Sequence, residues 1–281
     1  MTVSDETRGG PADTSRPACP FCAGGGEPFA PGRVLDRHDV QYERCTRCAS
    51  IFLPSPHWLE QAYESAIAAL DVGLLERCLQ LANVTDAILT AERMTAPVGL
   101  DFAGGYGTLT RLLRDRGRDF RHLDPYCENV FAKGHEGRLD RRYDLVTAFE
   151  VLEHLTDPAV DLAGVAQATD LLVLTTQVLP EPAPRPGEWE YYTPLTGQHI
   201  SFATVAGLEA LAERLDYRLT TTGRVVHVLH RRPLRRATAL LLRDERLAYA
   251  VGAVRSEIGR RRGLTRVDAT AAETALTSGR A

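Results

Sequence analysis

The sequence predicts an α/β protein: a doubly wound, mainly parallel sheet, with a small four-cysteine module before it and a helical tail after it. Three observations carry this. From residue 97 onward, short apolar runs alternate with amphipathic segments, the pattern of strands joined by crossover helices. Ahead of them stand two C-x-x-C pairs, Cys19-Pro-Phe-Cys22 and Cys45-Thr-Arg-Cys48, separated by 22 residues. Behind them, residues 231–281 hold 12 Arg against 5 Asp and Glu, a charge of +7, whereas the rest of the chain, with 21 basic and 32 acidic residues, carries −11.

Residues 1–17 are polar and lack an apolar core, so they read as a disordered leader and not as a signal peptide. No apolar run approaches the roughly 20 residues of a membrane helix. The expected location is the cytoplasm, where cysteines stay mostly reduced. Residues 18–55 hold the cysteine pairs. Each C-x-x-C can present two thiolates from one tight turn, and two such turns close a tetrahedral Zn2+ site with sulfurs about 2.3 Å from the metal. The stretch between the pairs is too short and polar for a core of its own, so a metal would drive its folding. Cys19, Cys22, Cys45 and Cys48 leave no open coordination position, which makes the expected zinc structural. Disulfides are the alternative, and a reducing compartment argues against them. Cys78 and Cys127 read as buried free thiols. Residues 56–96 lack proline inside 57–95 and repeat apolar side chains at helical spacing (Ile67, Leu70, Leu74, Leu75, Cys78, Leu79, Leu81), which predicts two or three bridging helices.

Residues 97–232 form the main unit. PVGLDFAG, DFRHLD, the first part of YDLVTAFEVLEHL, and DLLVLTTQVL read as strands, and YRLTTTGRVVHVLH as two strands around Gly223. TLTRLLRDRG, DPAVDLAGVAQA and ATVAGLEALAERLD read as helices, the first stopped by Gly117 and the second started by Asp-Pro. YDLVTAFEVLEHL turns helical after Glu150. The 127–142 stretch gives the weakest pattern. Residues 233–281 form the tail. Within it 234–262 is helical by pattern, with Leu240, Leu241, Leu242, Leu247 and Val251 as an apolar stripe that packs on the core or on a second subunit. Residues beyond 265 read as frayed.

The turn Asp101-Phe-Ala-Gly-Gly-Tyr-Gly107 follows a strand and opens a helix, the context in which a glycine-rich turn approaches a nucleotide-like ligand. Gly104, Gly105 and Gly107 permit that approach. Ala103 stands where the first glycine of a D-x-G-x-G-x-G run is expected; at negative φ its methyl costs little. Asp124 ends the next strand, 23 residues after Asp101, where an acid can hold a ribose diol. A tight packing turn without a ligand is the alternative.

These residues carry a resemblance. GLDFAGGYGTLTRLLRDRG, LDPYCENVFAKG and RYDLVTAFEVLEHLTDP resemble class I methyltransferases that use S-adenosylmethionine (SAM). With the cysteine pairs, WLEQAYESAI and WEYYTPLTGQHISF, the chain is similar over roughly residues 18–230 to a bacterial subgroup with an N-terminal zinc ribbon, whose members often act on sugars, glycans or natural products. The resemblance implies a Rossmann-like seven-stranded sheet. It implies that Asp101, Ala103, Gly104, Gly105 and Gly107 shape the methionine end of the SAM pocket and that Asp124, followed by Pro125, binds the ribose. Phe149 and Glu150 would lie beside the ligand, and Tyr63, from the helices that cover the pocket in related enzymes, would close it. Asp71 and Arg77 lie on the same segment; Arg77 could bind an acidic substrate group or form a surface ion pair.

Methyl transfer is an in-line displacement, so the protein mainly aligns the acceptor and removes its proton. Two segments offer bases at the strand ends. His154 lies four residues after Glu150 and next to Glu153; on a helix Glu150 and His154 would share a face. A structural histidine is the equal alternative. Residues 178–202 form a long proline-rich loop that reads as a lid, with His199 as a second base and Trp189, Tyr191 and Tyr192 as stacking faces for a ring or sugar. Loop aromatics packed on the sheet edge are the alternative. The catalytic candidates are therefore His154, His199, Glu150 and Tyr191. The spacing of His154, His199 and Glu150 does not demand a metal, and no catalytic metal is expected. The favoured acceptor is a small molecule: a sugar, glycan precursor or natural-product intermediate. The competing readings are an RNA methyltransferase, prompted by the ribbon and basic tail but opposed by the acidic core, and a degenerate interaction protein, prompted by Ala103. A membrane partner is excluded, and a homodimer through the tail is a candidate assembly.

Overall fold

The computed structural model describes residues 16–63, 72–258 and 263–277. The leader before 16, and Ile67, Leu70 and Asp71, lie outside the described residues. The N-terminal module is a sheet of β1 (Gly26–Val34), β2 (His38–Cys45) and β3 (Ile51–Phe52), closed by β8 (Ser201–Phe202) from the distant end of the main unit, in the order β1-β2-β3-β8. Two helices follow: α1 (Leu59–Ala62) and α2 (Leu74–Ala91).

The main sheet holds β5 (Asp119–Leu123), β4 (Val98–Phe102), β6 (Leu145–Phe149), β7 (Leu171–Thr175), β10 (Val226–His230) and β9 (Arg218–Thr221), in that spatial order. β5, β4, β6 and β7 are parallel, and β10 is antiparallel to both β7 and β9. The position of a seventh strand, beyond β5, is reduced to one parallel bridge between His122 and Glu136. The chain from 127 to 142 is mostly turns, bends and irregular backbone, which explains its weak pattern. β7 is buried along its whole length, as an inner parallel strand covered on both faces must be.

Helices cover both faces. On one lie α2, α3 (Thr108–Asp115), α7 (Arg236–Leu241) and α8 (Glu245–Ile258); Leu81, Ile88, Leu113 and Leu242 form that core with Phe120 and Val173. α4 (Pro158–Asp161), α5 (Ala163–Ala168) and α6 (Val205–Arg214) lie on the other, over Leu100, Val146 and Leu172. Asp157 and Thr204 cap α4 and α6 through side-chain oxygens that accept from Val160 N and Gly207 N, each cap being worth about 1 kcal/mol. Among the described residues no helix is long and apolar enough to cross a membrane.

Two expectations about helical faces change. Leu75 and Leu79 are exposed, and α2 turns Leu81, Val84, Ile88 and Leu89 inward instead. In the tail Leu240 and Leu247 are exposed; Leu241, Leu242, Ala248 and Gly252 make the contact, and a Cβ on Gly252 would collide with the Asn83 carbonyl of α2. Residues beyond 265 form a helix, α9 (Thr265–Thr277), contrary to the expected fraying. It buries no residue and is held by charge: the guanidinium of Arg114 donates to both oxygens of Asp268 at 2.9 and 2.7 Å, and Thr265 Oγ1 donates to Asp115 at 3.0 Å. Such a fork between two nearly buried groups is among the stronger ion-pair geometries. Cys78 and Cys127 are partly exposed, not buried.

Candidate active site

Four sulfurs converge in the N-terminal module. Cys19 Sγ lies 3.6 Å from Cys48 Sγ, Cys22 Sγ lies 3.3 Å from Cys45 Sγ, and all four cysteines are buried and free of disulfides. A tetrahedral ion with sulfurs at about 2.3 Å sets its ligands roughly 3.8 Å apart, so the cluster fits one closely. Backbone N–H groups of Gly24, Arg47 and Cys48 point at the sulfurs, and a Cβ at Gly24 would press on Cys45 and Cys22. Burial foremost pushes the Cys22 thiol up to about 11; a cation among the sulfurs reverses that cost. The cluster is bound into the main unit. Thr204 Oγ1 donates to the Cys48 carbonyl at 2.5 Å, and Arg214 donates to the Pro20 and Phe21 carbonyls at 2.7 and 3.1 Å. The sulfurs pack in the same apolar cluster as Leu208 and Leu211 of α6.

The glycine-rich turn lies between β4 and α3, and its residues act for different reasons. Asp101 is 2% exposed and accepts from Thr147 Oγ1 at 2.9 Å and from Thr110 Oγ1 at 3.1 Å, while burial raises it to about 6. It therefore supports the turn from below. Gly104 sits on its carboxylate, where a Cβ would collide with Oδ2. Gly105 has φ +58° and open space around it, and its N–H donates to Asp124 Oδ2 at 2.9 Å. Gly107 has φ +83° and begins α3. Ala103 has φ +54°, so the inexpensive negative-φ case does not apply; the left-handed region costs an L-residue roughly 1–2 kcal/mol. Asp124 also accepts from Tyr126 N and Cys127 N through Oδ1, so the strand-end acid and the turn form one hydrogen-bonded unit. Pro125 is exposed beside it. Sequence reasoning missed His122, which is 3% exposed and bonds the Gly105 carbonyl at 2.8 Å; it carried no motif, only a place on β5.

At the end of β6, Phe149 packs partly buried against the α2 side of the core. Glu150 adopts φ +54°, and its N–H is held by Thr175. Burial first, then the charge of Glu153, raises its carboxyl to about 7. No α-helix follows. A single 3-10 turn, Leu152–His154, replaces it, so the shared helical face expected for Glu150 and His154 does not form. The turn instead brings Glu153 and His154 to His199. The two imidazoles stand 4.8 Å apart, edge to face. His154 Nδ1 lies 2.8 Å from Tyr63 Oη and 3.1 Å from the Gln198 carbonyl, and burial lowers its pKa to about 3. His199 Nδ1 lies 2.7 Å from the Tyr191 carbonyl. Tyr63 thus meets the histidine pair.

The aromatic loop corrects another expectation. Tyr191 and Tyr192 are 6% and 0% exposed. Tyr192 packs on Phe202 at 4.6 Å and Tyr42 at 5.4 Å, and Trp189 on Tyr191 at 5.1 Å. Tyr191 and Tyr192 belong to the core between the N-terminal sheet and the strand ends and are not free stacking faces, and Trp189, partly buried, packs against that core. Tyr191 Oη donates instead to Glu153 Oε1 at 2.6 Å. Glu153, noted in the sequence only as a neighbour of His154, is fully buried.

A family model described as a methyltransferase domain matches residues 76–222, more than half of the chain. The chain belongs to that family. Its largely parallel sheet, with the glycine turn between β4 and α3, is a Rossmann-like arrangement. No curated protein matches the chain. Solved structures with a similar fold include CalO1, a methyltransferase in calicheamicin biosynthesis in its S-adenosylhomocysteine-bound form (16% identity, 61% of this chain and 60% of that one, TM-score 0.40). Two others are the mitomycin 7-O-methyltransferase MmcR (16%, 62% and 60%, 0.44) and the Burkholderia thailandensis 1,6-didemethyltoxoflavin-N1-methyltransferase (16%, 72% and 97%, 0.47). The match spans about three fifths of the length of CalO1 and of MmcR.

Proposed function

We propose that the chain transfers a methyl group from SAM to a small-molecule acceptor, a sugar, glycan precursor or natural-product intermediate, with His199 taking the acceptor's proton, and that the four cysteines hold a structural Zn2+. The observation that carries the reading is the convergence, at the carboxyl ends of β4, β5 and β6, of the glycine turn with Asp124, Glu150 and the histidine pair. Ligands of open α/β sheets bind at that edge.

SAM, when bound, supplies an electrophilic methyl on a sulfonium. The turn 103–107 and Asp124 would hold its two ends, and Glu150 would line the space between. The Tyr191 carbonyl only accepts, so it keeps a proton on His199 Nδ1 and leaves Nε2 free to take one. His154, held neutral well below neutral pH, suits a hydrogen-bond acceptor that orients the acceptor group. Its Nδ1 is fixed by Tyr63 and Gln198.

Calorimetry with SAM tests the cofactor; absence of binding at millimolar SAM would end the reading. For the base, His199→Ala should lower kcat by roughly 10²–10⁴, whereas His154→Ala should act more on KM. Equal kcat for His199→Ala and the parent protein would remove His199 from the chemistry.

A further inference from the structure

Glu153, His154 and His199 each offer one ligand atom, and these atoms lie within 4.8 Å of one another. Two further features set the group apart from an ordinary buried polar cluster. The first is the orientation of the imidazoles. The Gln198 carbonyl, 3.1 Å from His154 Nδ1, and the Tyr191 carbonyl, 2.7 Å from His199 Nδ1, can only accept. The Tyr191 carbonyl thus keeps the proton on His199 Nδ1 and a lone pair on its Nε2; on His154 the Gln198 carbonyl favours the same tautomer, with Tyr63 Oη, 2.8 Å from Nδ1, accepting alongside it. Backbone carbonyls behind Nδ1 are how proteins orient ligating histidines. The second is Glu153. Tyr191 Oη binds its Oε1 at 2.6 Å, yet among the described residues Oε2 has no hydrogen-bond partner, in a side chain with no solvent exposure. A buried carboxylate oxygen left without a donor costs on the order of 1–3 kcal/mol or more, and a cation would relieve it.

We infer that Glu153, His154 and His199 form a binding site for a divalent transition-metal ion of the Zn2+ or Co2+ type. Two nitrogens and one carboxylate oxygen suit such borderline ions. Small side-chain rotations would bring the three atoms to the roughly 2.0–2.2 Å that each bond needs, with coordination positions left open. The ion would take the lone pair that His199 otherwise uses as a base, so the metal-loaded and base-competent forms exclude one another. The site goes beyond the methyl-transfer reading and does not rest on it.

The test is to titrate metal-stripped full-length protein with Zn2+ alone, counting bound metal after dialysis, and to repeat it with Co2+ under optical spectroscopy. The expected result is two equivalents per chain: one with the intense thiolate-to-cobalt bands of the cysteine cluster, and one without them. His199→Ala and the near-isosteric Glu153→Gln should each weaken the second equivalent by on the order of 100-fold or more, since even outer-shell changes cost 10–100-fold, and leave the first in place. One equivalent or none in the parent protein overturns the site. So does a second equivalent that carries thiolate bands or persists in both variants. The parent count and spectrum decide even where a variant fails to fold. SAM binding measured on the same samples keeps the two readings separable: lost SAM binding with two metals removes only the methyl-transfer reading, and retained SAM binding with one metal removes only this one.

Discussion

The two clusters of ligand-type side chains are built in opposite ways. Each cysteine pair comes from one tight turn, so half of that cluster's geometry is fixed within four residues, and β1 and β2 have only to bring two finished halves together. The histidine cluster has no finished half. Glu153 and His154 come from a 3-10 turn and His199 from a loop 45 residues on, and carbonyls of that same loop, from Gln198 and Tyr191, aim both rings. A site written in local spacing is stiff in its parts and depends on its ligand to join them. A site assembled by tertiary structure is stiff only as long as its surroundings are.

The largest expected effect tests the first half of that contrast. With Zn2+ in the cysteine cluster as proposed, its removal by chelation or by Cys45→Ser should destabilise by several kcal/mol at least, given that structural zinc sites are worth of order 10 kcal/mol. The loss should not stay in the module. β3 pairs with β8, Thr204 both caps α6 and bonds Cys48, and the sulfurs share a core with Leu208 and Leu211. Thermal unfolding followed by near-ultraviolet and far-ultraviolet circular dichroism should move as one transition. Two separated transitions would mean the module melts alone.

The same contrast explains what the sequence revealed. β6 and β7 are buried along nearly their whole length and read as largely apolar runs, and β4 is apolar up to Asp101, so the sheet was legible. The cysteine spacing and the strand–turn–helix context of Asp101–Gly107 were legible because their geometry is local. The features that were not legible are tertiary. α9 looks frayed because its anchor, Asp268, finds Arg114 across 154 residues. The loop aromatics look available because nothing local says that β8 will join the N-terminal sheet and bury them against Tyr42 and Phe202. Glu150 and His154 look paired because a helical spacing was assumed where the chain makes one 3-10 turn, and that turn promotes Glu153 instead.

On the tertiary side, the next effect is a pH dependence at Glu150. Its folded pKa of about 7 lies above the usual 4.5. The stability it contributes is complete below the unfolded value and is lost as pH rises through the folded one. Glu150→Gln carries no such dependence. The unfolding free energy of the variant should therefore gain on that of the parent between about pH 5 and 7.5 and then level off, the gain reaching about 3 kcal/mol. Parallel curves would show that Glu150 ionises normally. Smaller again is Tyr191→Phe, which removes the donor from Glu153 Oε1 while keeping the ring in its aromatic core. A second unpartnered oxygen on one buried carboxylate should cost about 1–3 kcal/mol in denaturant unfolding; an unchanged midpoint would show that the carboxylate is partnered in solution.

The smallest effect lies in the turn itself, where a local rule is broken. Ala103 holds φ +54° beside two glycines. Ala103→Gly removes the left-handed penalty of roughly 1–2 kcal/mol but frees the unfolded chain, which returns about 0.4–1 kcal/mol. The net should be a gain of up to about 1.5 kcal/mol in chemical denaturation, with SAM affinity kept, because the Ala103 N–H bond to Leu123 O at 2.7 Å and the Gly105 bond to Asp124 involve backbone that the substitution retains. A loss of stability would mean that the turn relaxes φ at Ala103 in solution. A loss of SAM affinity with stability gained would mean that the alanine methyl itself touches the ligand, which would make the break in the glycine run part of the binding surface.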